Sequence, residues 1–160
     1  MKIIVISDSH GSAVSIENVI YGHPEAQYIV FLGDGERDFE EALAVCGIFP
    51  YGSDRSKTIL QVRGNCDRMS SEAVTLTESF GRVKMLITHG FDQGVKYTLS
   101  KLVLEAKEKG CKAALFGHTH KQCLEERDGI TLFNPGSVRS GYYGLITVAQ
   151  EQAEFELCEL

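Results

Sequence analysis

The chain has 160 residues, of which 43% are hydrophobic and 24% are charged, and these values are ordinary for a single globular domain. Its net charge of -6 argues against general nucleic-acid binding. The five cysteines are widely spaced and the apolar runs are short, so we expect reduced thiols, no secretory signal, no membrane span and a cytoplasmic location.

The first half of the chain alternates short apolar runs with helix-like segments. The run 2–7 (KIIVIS) is β-branched and nearly continuous, which is typical of a strand buried on both faces, and 28–33 (YIVFLG) repeats this pattern. Between them, Ser12 is a candidate N-cap for a helix. The apolar residues of that helix recur at helical spacing: Val14, Ile16, Val19 and Ile20. A short amphipathic helix is predicted over 37–47 and a third strand over 58–64.

The second half is richer in strands. The strongest helix pattern covers 96–110 and ends at a glycine. A hairpin is predicted over 121–134, turning at Asp128 and Gly129. Further strands are predicted over 83–90, 112–117, 144–150 and 151–160. This order indicates one α/β domain spanning 1–160, with two sheets packed between helices.

Small clusters of polar residues follow many of the predicted strands. The candidate ligands among them are Asp8, His10, Asp34, Asn65, His89, His118 and His120. Ligands bind outside the carboxyl ends of the strands in open α/β sheets, so we expect these side chains to converge at one edge. Carboxylate, amide and imidazole groups bind divalent metals, and seven of them suit two ions that share a bridging carboxylate.

Each motif alone has an ordinary structural explanation. An isolated D-x-H after a strand is usually a polar turn, and His118 with His120 could form a surface pair. The joint occurrence of these motifs, each after an apolar run, is what favours a metal site. His23 precedes Pro24 in a loop away from any strand end, and we expect it to be an ordinary surface histidine.

The motifs DSH, GD, GNCD, HG and GHTH resemble the five blocks of the calcineurin-like metallophosphoesterase superfamily. The resemblance extends to its YfcE-like phosphodiesterase branch, to which Vps29 is related, and runs from Asp8 to Ser137. It implies a four-layer α-β-β-α sandwich of two mixed sheets flanked by helices, with a dinuclear metal site.

The resemblance also implies a role for each candidate ligand. It assigns three residues to one ion: Asp8, His10 and His120. It assigns three others to the second ion: Asn65, His89 and His118. Asp34 would bridge both ions together with a hydroxide that attacks phosphorus in line, so that Asp34, Asn65, His89 and His118 are the expected catalytic positions. The donor set suits manganese, iron, nickel or zinc, and the resemblance favours Mn²⁺.

Cys66 stands where many relatives have a histidine that acts as a general acid. A thiol has an ordinary pKa of about 8.5 and is a weak hydrogen-bond donor, so we expect a preference for good leaving groups. The C-x5-R spacing of cysteine phosphatases is absent, and Asn65 already provides the motif's ligand, which disfavours Cys66 as nucleophile or ligand. Asp67 either orients a ligand or holds the turn.

The main functional prediction is a metal-dependent phosphodiesterase for a small phosphorylated substrate. One alternative is a Vps29-like scaffold without catalysis, whose mark would be degraded ligands, whereas all seven are present. Another is a phosphomonoesterase or nucleotide hydrolase on the same site. Arg139, Tyr142 and Tyr143 are candidates for substrate contact or for the interface of a homo-oligomer.

Overall fold

Ten β-strands and three α-helices make up the computed structural model, which describes residues 1–160. The strands are β1 Lys2–Ile6, β2 Tyr28–Phe31, β3 Thr58–Gln61, β4 Thr75–Phe80, β5 Val83–Thr88, β6 Ala113–Leu115, β7 Gln122–Arg127, β8 Ile130–Pro135, β9 Tyr142–Ala149 and β10 Gln152–Glu159. The helices are α1 Ala13–Gly22, α2 Glu36–Val45 and α3 Ser100–Glu108. None of the three helices has the length and apolar character needed to cross a membrane.

The strands form two five-stranded sheets. The first has the order β10-β9-β1-β2-β3 and the second β4-β5-β6-β8-β7. Within each sheet three neighbouring strands are parallel, namely β1-β2-β3 and β5-β6-β8, and the remaining pairs are antiparallel. The loops that follow the parallel strands therefore leave each sheet at one edge, where α/β proteins place their ligands.

Strand β1 shows how the sequence produces the layers. Ile3 and Val5 enter the apolar layer between the two sheets, whereas Ile4 and Ile6 pack beneath α1 and α2. Successive side chains of a strand point to opposite faces, so a continuous apolar run serves both layers. A third apolar layer lies beneath α3 around Leu102. The α-β-β-α sandwich of two mixed sheets is thereby confirmed.

Two elements differ from the sequence-based prediction. Strand β4 was not predicted, because it lies at a sheet edge and only Phe80 among its six residues is fully buried. Helix α3 begins at Ser100 rather than near 96, because residues 91–97 form turns. The Thr98 hydroxyl accepts a hydrogen bond from the Ser100 N–H at 3.2 Å, a local turn bond directly before the helix, whose N-cap position is Leu99.

The predicted hairpin between β7 and β8 is confirmed. Arg127 pairs with Ile130, so the loop has two residues. Asp128 and Gly129 have φ values of 51° and 77°, and positive φ at both central positions is what a type I′ turn requires.

The prediction that His23 is an ordinary surface histidine is wrong. Its side chain is 17% exposed, and its Nε2 lies 3.0 Å from the Tyr143 hydroxyl. Tyr143 in turn packs against the apolar layer beneath α1 and α2, so this tyrosine belongs to the fold. The partner is 120 residues away in sequence, which is why local sequence around His23 gave no sign of the contact.

Candidate metal centre

The loops after β1, β2, β3, β5 and β6 carry all seven candidate ligands, and the fold brings them to one edge. Asp8, Asp34 and His89 are buried with at most 2% exposure, and His118 is 8% exposed. Asn65 is exposed at the rim. Polar side chains are rarely buried in such a cluster unless they serve each other or a ligand.

One group of donor atoms comes from the loops after β1 and β6. Nε2 of His120 lies 3.1 Å from Oδ1 of Asp8 and 3.2 Å from Nε2 of His10. The His10 nitrogen is 3.8 Å from the same carboxylate oxygen. Three potential ligand atoms of Asp8, His10 and His120 thus face a common point.

A second group comes from the loops after β3, β5 and β6. Nε2 of His89 lies 3.1 Å from Oδ1 of Asn65 and 3.2 Å from Nδ1 of His118. Nδ1 of His89 donates a hydrogen bond to the Leu32 carbonyl at 2.8 Å. That bond fixes the ring so that its other nitrogen faces the cluster, as is usual for metal-binding histidines.

Asp34 lies between the two groups. Its Oδ2 is 3.3 Å from Nε2 of His89 in one group and 3.9 Å from Nε2 of His10 in the other. Its Oδ1 accepts a hydrogen bond from the Cys66 N–H at 2.7 Å. Burial by itself would raise the pKa of Asp34, but the hydrogen bond and charge of His89 lower that pKa well below the usual carboxyl range. Asp34 is therefore a carboxylate at neutral pH.

The hydrogen bonding and protonation of the donor atoms favour a bound cation over contacts among the donors alone. Oδ1 of Asp8 is buried and accepts no hydrogen bond, while its Oδ2 accepts two, from the Ser7 hydroxyl and the His118 N–H. Burial, with the neighbouring His89 charge, lowers the pKa of His118 to about 4, so this imidazole is neutral at pH 7. A buried carboxylate oxygen without a hydrogen bond, close to imidazole nitrogens, is the condition in which a metal ion is favourable.

The backbone at the cluster is strained. Seven non-glycine residues have a positive φ, and five of them are candidate ligands: Asp8, His10, Asp34, His118 and His120. Asp and His tolerate this region better than most residues, yet each such position is still unfavourable. Strain gathered at one point of the fold indicates a functional site.

Two glycines allow the loops to approach the carboxylates. A β-carbon at Gly64 would lie 2.1 Å from Oδ1 of Asp34, and one at Gly117 would lie 2.0 Å from the Ser7 hydroxyl and 2.8 Å from Oδ2 of Asp8. These distances are far below van der Waals contact, so any larger residue would displace a candidate ligand.

Asp67 holds two of the loops together. Its carboxylate accepts four hydrogen bonds of 2.8–3.1 Å from backbone N–H groups, those of Asp34, Gly35, Glu36 and Gly64. Two of these donors begin helix α2, where a negative charge is favourable. The sequence left two roles open for Asp67, to orient a ligand or to hold the turn. The geometry supports both, since the turn that Asp67 holds fixes the backbone of the candidate ligand Asp34.

Sequence reasoning missed two further supporting residues. Buried Asn134 donates to the Gly117 carbonyl at 2.8 Å and accepts from the Gly136 N–H at 2.9 Å, which fixes the loop that carries His118. Asp38 accepts bonds from the Ser9 hydroxyl and the Gly11 N–H at 2.6 and 2.7 Å. Asn134 directly precedes Pro135 and Gly136, and an asparagine before such residues is a visible signal because Asn commonly satisfies turn backbone. Asp38, by contrast, resembles any helical acidic residue.

Cys66 lies inside the cluster. Its Sγ is within 4.8 Å of a ring nitrogen of His10 and a carboxylate oxygen of Asp34. Desolvation, followed by the Asp34 charge, raises the pKa of the thiol, so it stays protonated at neutral pH. A protonated thiol is a poor nucleophile and a poor ligand. This agrees with the prediction that Cys66 is neither the nucleophile nor a metal ligand.

Two open clefts flank the cluster. The first, of about 350 Å³, lies beside Asn65 and His89 and also contains Phe91. The second, of about 480 Å³, lies beside His10 and Cys66. Both volumes are within the range of small-molecule sites.

Of the three residues that the sequence offered for substrate contact (Arg139, Tyr142 and Tyr143), only Arg139 reaches a loop that carries candidate ligands. Its guanidinium donates to the His10 carbonyl at 3.1 Å, so it supports that loop. Tyr143 packs into the fold as described, and neither Tyr142 nor Tyr143 lines the two clefts.

Sequence comparison identifies similar proteins over nearly the whole chain. A family model for the calcineurin-like phosphoesterase superfamily domain matches residues 1–151. The chain is 29% identical to the probable metallophosphoesterase YsnB of Bacillus subtilis, covering 96% of this chain and 88% of YsnB. It is 30% identical to the phosphodiesterase YfcE of Escherichia coli K12, covering 86% of this chain and 79% of YfcE.

Solved structures share the fold. A predicted phosphoesterase from Streptococcus pneumoniae TIGR4 superposes with a TM-score of 0.79 at 23% identity, covering 99% of this chain and 88% of that protein. Vps29 of Entamoeba histolytica complexed with zinc superposes with a TM-score of 0.70 at 18% identity, covering 99% of both chains. At these identities the likeness establishes the architecture alone.

Proposed function

The chain belongs to the calcineurin-like phosphoesterase superfamily, and from this membership we propose that it is a metal-dependent phosphodiesterase acting on a small phosphoester substrate. The observation that carries the proposal is the position of Asp34 between two groups of converging donor atoms, in a site open to two clefts. The phosphodiesterase activity named for YfcE supports the diester preference.

Two divalent ions would be held in the arrangement that the motifs imply. One would be bound by three residues: Asp8, His10 and His120. The other would be bound by three more: Asn65, His89 and His118. Asp34 would bind both. When bound, such ions supply a hydroxide nucleophile at neutral pH and compensate the charge on the phosphate oxygens.

The chain's own residues would orient the phosphate group and determine how readily the histidines lose their protons. The amide of Asn65 presents Oδ1 to His89. Its NH₂ group donates one hydrogen to Cys66 Sγ at 3.4 Å, and the second hydrogen can be donated to a phosphate oxygen. Burial lowers the basicity of His118, while contact with Asp34 raises the pKa of His89 against the effect of burial. Metal loading would therefore compete with protonation of His89 and would weaken as the pH falls.

The Vps29-like alternative rests on the shared fold. Its mark would be degraded ligands, and this chain has all seven candidates in converging positions. A phosphomonoesterase or nucleotide hydrolase would use the same residues and differ in the substrate that it turns over. We favour manganese from the family resemblance, and a cytoplasmic location because all five cysteines are free thiols.

Cys66→Ala is expected to leave kcat/KM for bis(4-nitrophenyl) phosphate within about threefold of wild type, because a protonated thiol is neither nucleophile nor ligand. Nitrophenolate leaves without help from an acid, so the missing thiol proton has no consequence for this substrate. Steady-state kinetics with metal analysis of the same samples measures the effect, and Cys158→Ala serves as a distal control. A collapse of turnover with metal still bound would return the thiol to the mechanism.

A loading experiment tests the proposed function. Metal-free protein is reloaded separately with Mn²⁺, Fe²⁺, Ni²⁺ and Zn²⁺, and each form is assayed with bis(4-nitrophenyl) phosphate and with 4-nitrophenyl phosphate. We expect no activity without metal, activity restored by Mn²⁺, and faster turnover of the diester. Faster turnover of the monoester would support a phosphomonoesterase, and tight metal binding without turnover of either ester would support a scaffold.

A further inference from the structure

Unpaired arginines gather at the clefts. Four of the seven arginines have a partner: Arg82 and Arg127 contact glutamates, Arg139 donates to a carbonyl, and Arg55 lies over an aromatic ring. The guanidinium groups of three arginines have no partner: Arg37, Arg63 and Arg68. All three line the two clefts beside the candidate metal centre, in a chain whose net charge is -6. Free positive charge is thus retained where a ligand would enter.

The cleft beside Asn65 and His89 is the one suited to an additional negative charge. Arg63 and Arg68 both line it, and the oxygens of Asp67 are taken up by four backbone N–H groups. Asp67 keeps its negative charge, but its oxygens face the backbone donors, so Asp92 is the one acid in this cleft whose carboxylate oxygens are free to oppose Arg63 and Arg68. Arginine binds phosphate oxygens through a planar pair of donors. We name this cavity the Phe91 cleft, after its aromatic wall.

Phe91 provides a flat apolar surface next to the cluster. It is 55% exposed, which is unusual for so large an apolar side chain. Its ring packs edge to face on His118, with centroids 5.4 Å apart and planes at 87°. This contact holds the ring at the mouth of the site, where it lines the cleft together with Val74. Exposed aromatic rings of this kind stack on planar groups of ligands.

The other cleft has the opposite character. Glu36, Asp38 and Glu40 line it with Arg37, and Arg68 is shared with the first cleft. Acidic groups therefore predominate there, and a second anionic group would be repelled. The two sides of the candidate centre consequently differ in the substituents that they accept.

We propose that the Phe91 cleft binds one substituent of the substrate, and that this substituent combines a planar ring with a second anionic group, as a nucleotide does. The ring stacks on Phe91 and the anion pairs with Arg63 and Arg68. The assignment rests on the proposed function for the position of the scissile phosphate at the metal centre, and it names the substrate class as a phosphodiester of a nucleotide.

Calorimetric titration of the manganese-loaded protein tests the assignment with three probes: inorganic phosphate, adenosine and adenosine 3′,5′-bisphosphate. We expect the bisphosphate to bind at least about tenfold more tightly than phosphate or adenosine. Phe91→Leu keeps an apolar wall without the ring, and Arg63→Gln removes one charge. Each variant is expected to weaken bisphosphate binding by about three- to tenfold and to leave phosphate binding unchanged.

Arg37→Gln is the matched control, since it removes an unpaired arginine from the opposite cleft. It is expected to bind all three probes as wild type does. The assignment is overturned if wild type binds the bisphosphate no better than phosphate, or if the cleft variants weaken both probes equally. These outcomes are separate from the proposed function, whose failure would appear as absence of diester turnover with every metal.

Discussion

Asp34→Asn is expected to abolish the binding of both metal ions and to lower kcat/KM for a phosphodiester by at least about a thousandfold. The variant keeps the size of the side chain and an oxygen for the Cys66 N–H, but it loses the negative charge between the two donor groups. A neutral amide cannot compensate two divalent ions, so the site as a whole should lose affinity. Metal content after dialysis and steady-state kinetics give the two readouts.

Asp128→Asn is the matched control for this experiment, because it removes a carboxylate from the turn between β7 and β8, which carries no candidate ligand and lines neither cleft. It should keep full metal content and change kcat/KM by less than about threefold. Full activity of Asp34→Asn, or two ions still bound to it, would contradict the proposed role of this carboxylate.

Asp67→Ala is expected to lower the free energy of unfolding by about 2–4 kcal/mol, because four backbone N–H groups lose their acceptor at once. The site is partly open to solvent, so water offsets part of the loss and the effect is smaller than four separate bonds would give. Asp67→Asn keeps one acceptor oxygen and should fall between the alanine variant and wild type. Urea unfolding of the metal-free proteins, monitored by circular dichroism, gives the free energy of unfolding of each variant and hence the order of their stabilities.

Asp54→Ala provides the comparison for Asp67, since that exposed carboxylate accepts a single backbone N–H, from Ser56. It should unfold as wild type does. The Asp67 variants should also bind metal less tightly, because the backbone of Asp34 is no longer fixed. Equal unfolding curves for Asp67→Ala and wild type would show that the two loops hold together without the carboxylate.

The fold was largely predictable because buried parallel strands produce continuous apolar runs. Lys2–Ile6 and Tyr28–Phe31 were predicted within two residues for this reason. Strand Thr75–Phe80 was missed since an edge strand buries little and leaves no apolar run. The pairing of β6 with β8 rather than with β7 could not be predicted, because local patterns do not record which strands become neighbours.

The sequence was sufficient to predict which residues converge in the candidate site, but not which hydrogen bonds position them. Asp8, Asp34 and His89 stand directly after apolar runs, and the convergence expected from that position is what the fold shows. Asp67 and Asn134 act through hydrogen bonds to backbone groups of distant loops. Such bonds depend on tertiary contacts and impose no periodicity, so the sequence could indicate the ligands but not what positions them.

The left-handed backbone at five candidate ligands has an evolutionary consequence. Each such residue costs the metal-free fold about 1 kcal/mol or more, and glycine at the same position would relieve that cost. While metal binding is under selection, its free energy offsets the strain. The side chains of His10 and His120 hold no backbone group, so glycine at these two positions would relieve the strain without leaving a donor unpaired. The stability of the metal-free fold and the affinity for a metal ion therefore make opposite demands on these two histidines.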